Sequence, residues 1–280
     1  MGKFDGVLLA SDFDNTLIYT SGALHSGQPI PPLGDENRRA LEYFMSNGGR
    51  FCVATGRALA AFAPLAPLAP MNAPCILCNG AAIYDFFSEK YLEFATLDEV
   101  ARTRVQQVLD VVPEAAAEAY NLGNTIYAVH PNRYTRDHER ITKVTCTEAV
   151  SMEDVPLPLG KVLFEGTNET LKQVRQTFVE RGWAQDYELI FSNTTLLEMT
   201  RRGATKGGML LRLAEMLHIS PEHIYAAGDE ANDVSMLITA AEGFAPANCS
   251  DAVRGCGATI VSDAREHAMA DIIAILDSRY

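Results

Sequence analysis

Long hydrophobic runs are missing from this sequence: no stretch of about 18 apolar residues occurs, so no membrane span is expected. The opening MGKFDG has no apolar segment of signal-peptide length before its first acidic residue, and no Ser or Thr at its sixth position for myristoylation. Basic residues are few. Lys and Arg number 23 against 36 Asp and Glu, a formal net charge of −13 that argues against nucleic acid or an anionic membrane as partner. Of the six cysteines (Cys52, Cys75, Cys78, Cys146, Cys249 and Cys256), Cys75 and Cys78 form a CxxC, but no second pair has zinc-finger spacing. Most lie in apolar or small-residue stretches, as buried free thiols do, and a reducing cytoplasm is expected. There is no internal repeat, and the single Trp183, after ERG, reads as a packing residue beyond a helix end.

What is present is ordinary for a globular protein: 280 residues, 48% hydrophobic and 21% charged, enough for one large domain or two of usual size. The first apolar run, GVLLA, is followed at once by SDFDNTL. Asp12 and Asp14 are two apart, so in extended backbone they share a face, where two like charges repel unless a cation lies between them.

Strand-like and helical patterns alternate through the first part. DENRRALEYFMSNGG makes a helical face from Ala40, Leu41, Phe44 and Met45, ended by Gly48 and Gly49; RFCVAT and CILCNGA read as strands. This βαβαβ rhythm implies a parallel sheet. In the middle, KYLEFA, AAAEAYN, NTIYAVH and GKVLFEG are strand-like, with helices expected near 97–112 and 168–181. Their close spacing suggests an antiparallel sheet with helices on one side. From about residue 198 the α/β rhythm returns in ATKGGMLLRLAEMLHI, HIYAAGD, ANDVSMLITAA, ATIVSD and ADIIAILDS. The expected architecture is an α/β, Rossmann-like parallel-sheet core (1–82 and 198–280) interrupted by an inserted α+β cap domain (83–197).

Four stretches place polar residues just past an apolar strand or at a helix start: DFDNT, TGR at 55–57, TKGG at 205–208 and GDEAND at 228–233. The carboxyl ends of parallel strands form the edge where ligands bind. Asp12, Asp14, Asp229 and Asp233 would collect there with Thr16, Thr55, Lys206 and Asn232. Four carboxylates in one crevice require a cation, and oxygen-only ligands with a phosphate suit Mg²⁺. Thr55 offers a hydroxyl and Lys206 a point charge to phosphate oxygens. A carboxylate beside such a phosphate can attack phosphorus, and a second acid two residues on can protonate the leaving oxygen and then activate water.

These motifs resemble the haloacid dehalogenase superfamily, in particular its Cof-type phosphatases with a large α+β cap. DFDNT is similar to the DxDxT motif, VATGR to the threonine motif, GATKGGML to the lysine motif and GDEANDVSML to GDxxND, in family order and covering essentially the whole chain. The resemblance implies Asp12 as nucleophile and Asp14 as general acid/base. It implies Mg²⁺ held by the Asp12 carboxylate, the Asp14 main-chain carbonyl and Asp229. Thr55, Gly56, Lys206 and Asn232 would contact the phosphoryl group, Arg57 would do so or support the site by a salt bridge, and Thr16 and Asp233 would support it. The implied substrate is a small phosphorylated metabolite, expected to be a sugar phosphate. Alternatives are a phosphomannomutase-like phosphotransferase and a non-catalytic phosphometabolite-binding regulator. Asn15 stands where the family usually has glycine, and Asn also tolerates positive φ.

Overall fold

A computed structural model of the chain describes residues 2–121 and 125–280. The chain begins with β1 (Leu8–Ser11), α1 (Ser21–Ser26), α2 (Asp35–Ser46), β2 (Arg50–Val53), α3 (Leu59–Phe62) and β3 (Cys75–Leu77). It continues through β4 (Ala82–Asp85), β5 (Lys90–Phe94), α4 (Glu99–Val111), β6 (Ala116–Asn121), β7 (Ile126–Val129), α5 (Arg133–Thr142) and β8 (Thr147–Ala149). Next come β9 (Leu159–Glu165), α6 (Asn168–Glu180), β10 (Tyr187–Asn193) and β11 (Leu196–Arg201). The last part is α7 (Lys206–Met216), β12 (Ile224–Ala227), α8 (Val234–Thr239), β13 (Glu242–Pro246), α9 (Asp251–Arg254), β14 (Thr259–Val261) and α10 (Ala268–Asp277).

The first and last parts share one parallel sheet in the order β14-β13-β12-β1-β2. A parallel bridge from Ala54 to Ile76 continues it toward β3. Alternation along the strands supplies both faces. Val7, Leu9, Phe51, Val53 and Phe244 pack with Leu41, Phe44, Ile272 and Leu276 of α2 and α10 on one side. Leu8, Ala10, Cys52, Ile224 and Ala226 pack with Met209, Leu210, Leu213 and Met236 of α7 and α8 on the other. Burial on both faces is why GVLLA and HIYAA are continuous apolar runs.

The middle forms a six-stranded sheet, β10-β11-β9-β6-β7-β8, antiparallel except for the β7–β8 pair. The helices α4 and α6 cover one of its faces, burying Val105, Leu109, Val174 and Phe178 against Val162, Phe164 and Met199. Their starts are capped by Asp98, which accepts from the Ala101 amide at 2.9 Å, and Thr167, which accepts from the Thr170 amide at 3.1 Å. Trp183 lies beyond the end of α6, edge-on to Phe178 at 6.1 Å.

Some particulars differ from the sequence expectation. KYLEFA forms β5, which pairs with β4 and through it β3, not with the six-stranded sheet. The segment 83–197 therefore holds most of that hairpin and of the six-stranded unit, whose last strand, β11, runs on to Arg201. The strand expected in NTIYAVH is β7, and Asn124 lies outside the described residues. Helix α5 was not anticipated, because RYTRDHERIT is strongly polar and buries only Thr135, leaving no core-facing apolar stripe to read.

Candidate active site

β1 lies between β12 and β2 at the centre of the core sheet, and its end sets the site. The Asp12 amide donates to the Ala227 carbonyl at 2.9 Å, keeping the chain extended one residue past the strand. Phe13 turns into the core, edge-on to Phe62 at 5.2 Å, which leaves Asp12 and Asp14 on the other side. The backbone then folds back tightly: Asn15 has φ 58°, and the Ile18 amide bonds the Phe13 carbonyl at 3.0 Å. The Asn15 Oδ1 accepts from the amides of Thr20 and Ser21, so the side chain braces the turn that glycine would only permit.

Lys206 is the first residue of α7, fully buried, with Nζ 2.6 Å from Asp12 Oδ1 and 2.6 Å from Asp233 Oδ1. Thr205 caps the helix by accepting from the Gly208 amide at 3.0 Å. A Cβ on Gly80, whose φ is +101°, would fall 2.2 Å from the Thr205 backbone, so only glycine lets the turn after β3 close against this helix start. Asp233 Oδ2 accepts from the amides of Asp229 and Glu230 at 2.9 and 3.0 Å. A Cβ on Gly228 would meet Asp233 at 2.3 Å. Thr16 Oγ1 donates to Asp229 Oδ1 at 2.8 Å.

The electrostatics follow from crowding. Burial pushes the Asp12 carboxyl up to about 7, with Lys206 opposing and Asp233 and Asp14 adding to the rise. Burial and the charges of Asp12 and Asp233 push Asp229 up to about 9. Lys206 is raised well above the ordinary lysine range, since the two carboxylates outweigh its own desolvation. Carboxylate oxygens of Asp12, Asp229 and Asp233 lie within 4.8 Å of one another. Asp233 already uses both oxygens on Lys206 and backbone amides, so Asp12 and Asp229 remain as donors. One lysine cannot neutralise this cluster, and its all-oxygen donor set fits a hard divalent cation.

Asp14 is not part of that cluster. Its carboxylate accepts a bidentate pair from Arg57 at 2.7 and 2.8 Å and a bond from Thr20 Oγ1 at 2.7 Å. The structure thus brings three of the four expected carboxylates together and turns the fourth toward Arg57, which is seen here as a salt-bridge partner. Thr55 is buried, and its Oγ1 accepts from the Arg57 amide at 3.1 Å. Asn232 Nδ2 donates to Asn79 Oδ1 at 2.9 Å, leaving Asn79 Nδ2 and Asn232 Oδ1 buried without hydrogen bonds. Asn79, at φ 56° and behind Gly56, therefore joins the second and fourth motifs in space. Its signal in the sequence was the NG pair just past the apolar run CIL.

A cavity of about 530 Å³ lies above these residues, walled on its far side by the six-stranded unit. Alternation sends Ala117, Ala119, Val162, Phe164, Leu197 and Met199 toward α4 and α6. It sends Tyr120, Lys161, Leu163 and Glu198 to the opposite face, where they line the cavity. Lys161 Nζ donates to the Gly56 carbonyl at 3.1 Å, a direct bond between cap and core. On the same face Glu118 holds His138 of α5 at 2.9 Å. Burial and Glu118 push the nearby Glu165 up to about 8. Sequence reading passed over these residues, although a charge alternating with apolar residues inside AEAY, KVLFE and LLEM was the available signal. Cys75, in β3, and Cys78, in the turn just after it, are buried and unbridged, and burial pushes the Cys78 thiol up to about 11.

A family model for haloacid dehalogenase-like hydrolases matches residues 9–273. The chain is 24% identical over 275 residues to the pyridoxal phosphate phosphatase YbhA of Escherichia coli, covering 95% of this chain and 97% of that one. It is 25% identical over 307 residues to the phosphatase YwpJ of Bacillus subtilis, covering 95% and 98%. Among solved structures, a haloacid dehalogenase-like hydrolase from Bacteroides thetaiotaomicron superposes with a TM-score of 0.77 at 24% identity, covering 96% and 99%. A subclass IIB sugar phosphatase superposes with a TM-score of 0.80 at 19% identity, covering 97% and 99%.

Proposed function

The chain belongs to the haloacid dehalogenase-like hydrolases, and on that premise we propose that it is a Mg²⁺-dependent phosphomonoesterase working through a phosphoryl-aspartate on Asp12. The observation that carries this reading is the convergence of Asp12, Lys206, Asp229 and Asp233, from three segments of chain, with Asp12 and Asp229 lining the floor of one cavity. In the first step Asp12 attacks phosphorus, the ester P–O bond breaks, and Asp14 gives its proton to the leaving oxygen. Asp14 is then a carboxylate, the form that Arg57 and Thr20 are placed to hold. In the second step Asp14 draws a proton from water, whose oxygen attacks phosphorus, releasing inorganic phosphate and restoring Asp12. Lys206 keeps Asp12 ionised and, with Thr55, Gly56 and Asn232, contacts phosphoryl oxygens. Asp12, Asp229 and the Asp14 carbonyl would hold the Mg²⁺, which when bound would offset the repulsion between nucleophile and phosphate.

The substrate is a small phosphorylated metabolite, with sugar phosphates expected from the sequence and ring-bearing esters suggested by what the pyridoxal phosphate relative acts on. A cavity of about 530 Å³ suits molecules of that size. No helix is long and apolar enough to cross a membrane among the described residues, and six free cysteines fit a cytoplasmic setting. The test is inorganic phosphate release from a panel of phosphate esters, with and without chelator. Release that requires Mg²⁺ and is lost in Asp12→Asn supports the reading. Transfer of phosphate between sugar positions without release would make the protein a mutase, and absence of any turnover, including on p-nitrophenyl phosphate, would make it a binding protein.

A further inference from the structure

The cavity wall opposite Asp12 contains buried polar groups that phosphoryl transfer does not use. Lys161 on β9 is 3% exposed and Glu198 on β11 is 6% exposed, and the ammonium lies 3.1 Å from Glu198 Oε2. The ammonium also sits 4.4 Å from the centre of the Tyr120 ring and donates to the Gly56 carbonyl. Apart from this ammonium, buried Glu198 Oε2 has no donor facing it. Ser192 Oγ is likewise buried with no hydrogen-bond partner. Ser192 falls where the pairing of β10 with β11 shifts register between Phe191 and Asn193, a bulge of the kind that re-aims a side chain. Both Ser192 and Glu198 line the cavity, beside apolar Ile126, Leu163 and Leu196.

An apolar pair of similar volume at 161 and 198 would hold the cap together as well as a buried ion pair does. A buried hydroxyl with no partner, as at Ser192, is a further cost to the fold. Both costs have a use if a ligand completes the arrangement. We propose that Glu198 and Ser192 form the leaving-group subsite, anchored to the core where Lys161 meets Gly56, and that the leaving group must present a hydroxyl or N–H donor to it. This rests on the phosphomonoesterase reading and adds the chemistry of the alcohol released. A carboxylate oxygen can only accept, so an ester without a donor leaves Glu198 desolvated with the Lys161 ion pair as its one compensation, and discrimination follows from the hydrogen bond not made.

The test uses the full-length protein and matched esters that differ only in donors: ribose phosphate against pentyl phosphate, and a hexitol phosphate against hexyl phosphate. The expected kcat/KM ratio favours the hydroxylated ester by about 30-fold or more, from hydrogen bonds that include a charged acceptor. Lys161→Met combined with Glu198→Leu, which replaces the buried pair together, should narrow that ratio by roughly 10–100-fold. Ser192→Ala, the milder change, should narrow it by about 3–10-fold. A wild-type ratio near unity, or variants that depress both members of a pair alike, overturns the subsite while leaving the phosphatase reading in place. No hydrolysis of any ester, p-nitrophenyl phosphate included, overturns both.

Discussion

Replacing Lys206 with Met isolates the central electrostatic relation of the site. The Lys206 ammonium is fully buried and lies 2.6 Å from each of two carboxylates, one of them the proposed nucleophile. Methionine fills most of the volume but leaves Asp12 and Asp233 without their counter-charge. Breaking a buried pair from one side costs about 3–5 kcal/mol, because the remaining charge stays desolvated. At about 2–4 °C per kcal/mol for a domain near this size, the melting temperature should fall by roughly 6–20 °C. Adding Asp233→Asn removes one of the two stranded charges and should recover part of the loss. It should not restore turnover, since Asp12 would still lack the lysine that opposes its burial. The assay is a thermal melt followed by circular dichroism in chelator near neutral pH, paired with phosphate release in Mg²⁺. A single variant that melts within about 2 °C of wild type, or a double variant less stable than the single one, would refute the reasoning.

Asp14→Asn should abolish release of alkyl and sugar alcohols, a loss of about 10²–10⁴-fold, while a first-turnover burst from p-nitrophenyl phosphate survives because that leaving group needs no proton. Equal loss in both would remove Asp14 from the role of acid. Asn79→Gly keeps the backbone at φ 56° but deletes the amide that holds Asn232; it should raise KM about 10-fold, and combining it with Asn232→Ala should add little. Additive effects would show that Asn79 does not act through Asn232. Glu165 is raised from 4.5 to about 8 by burial and then Glu118, so the folded state holds a proton that the unfolded chain releases. Its contribution to stability is therefore fully present below about pH 4.5 and lost progressively as pH rises from there to about 8. Glu165→Gln should flatten the fall in melting temperature across that window, and an unchanged slope would contradict the assignment.

How much of this could be read from the sequence depended on where polar residues lie relative to apolar runs. Asp12, Thr55 and Asp229 follow strands whose burial on both faces leaves unmistakable runs, so the edge they share was legible before any coordinates. Lys206 stood at a helix start for the same reason. The partner of Asp14 was not legible, because Arg57 is 43 positions away and the choice between phosphate and carboxylate is made by tertiary geometry. The cap wall hid differently. Lys161 and Glu198 sit inside strands that read as apolar on average, and only strict two-residue alternation separates their face from the one under α4 and α6. Helix α5 is too polar overall to read as a core helix, burying only Thr135, yet it carries His138 to Glu118.

The most direct test of the account is to look for the phosphoryl group on Asp12 itself. The wild-type protein, mixed with Mg²⁺ and a good phosphate ester, would be quenched in acid during turnover, digested, and examined by mass spectrometry with fragmentation of the peptide that contains Asp12 and Asp14. The account predicts a phosphoryl group on Asp12, present only with substrate and absent from Asp12→Asn. Steady phosphate release with Asp12 unmodified under conditions that preserve acyl phosphates, or the label on Asp14 or another residue, would contradict it.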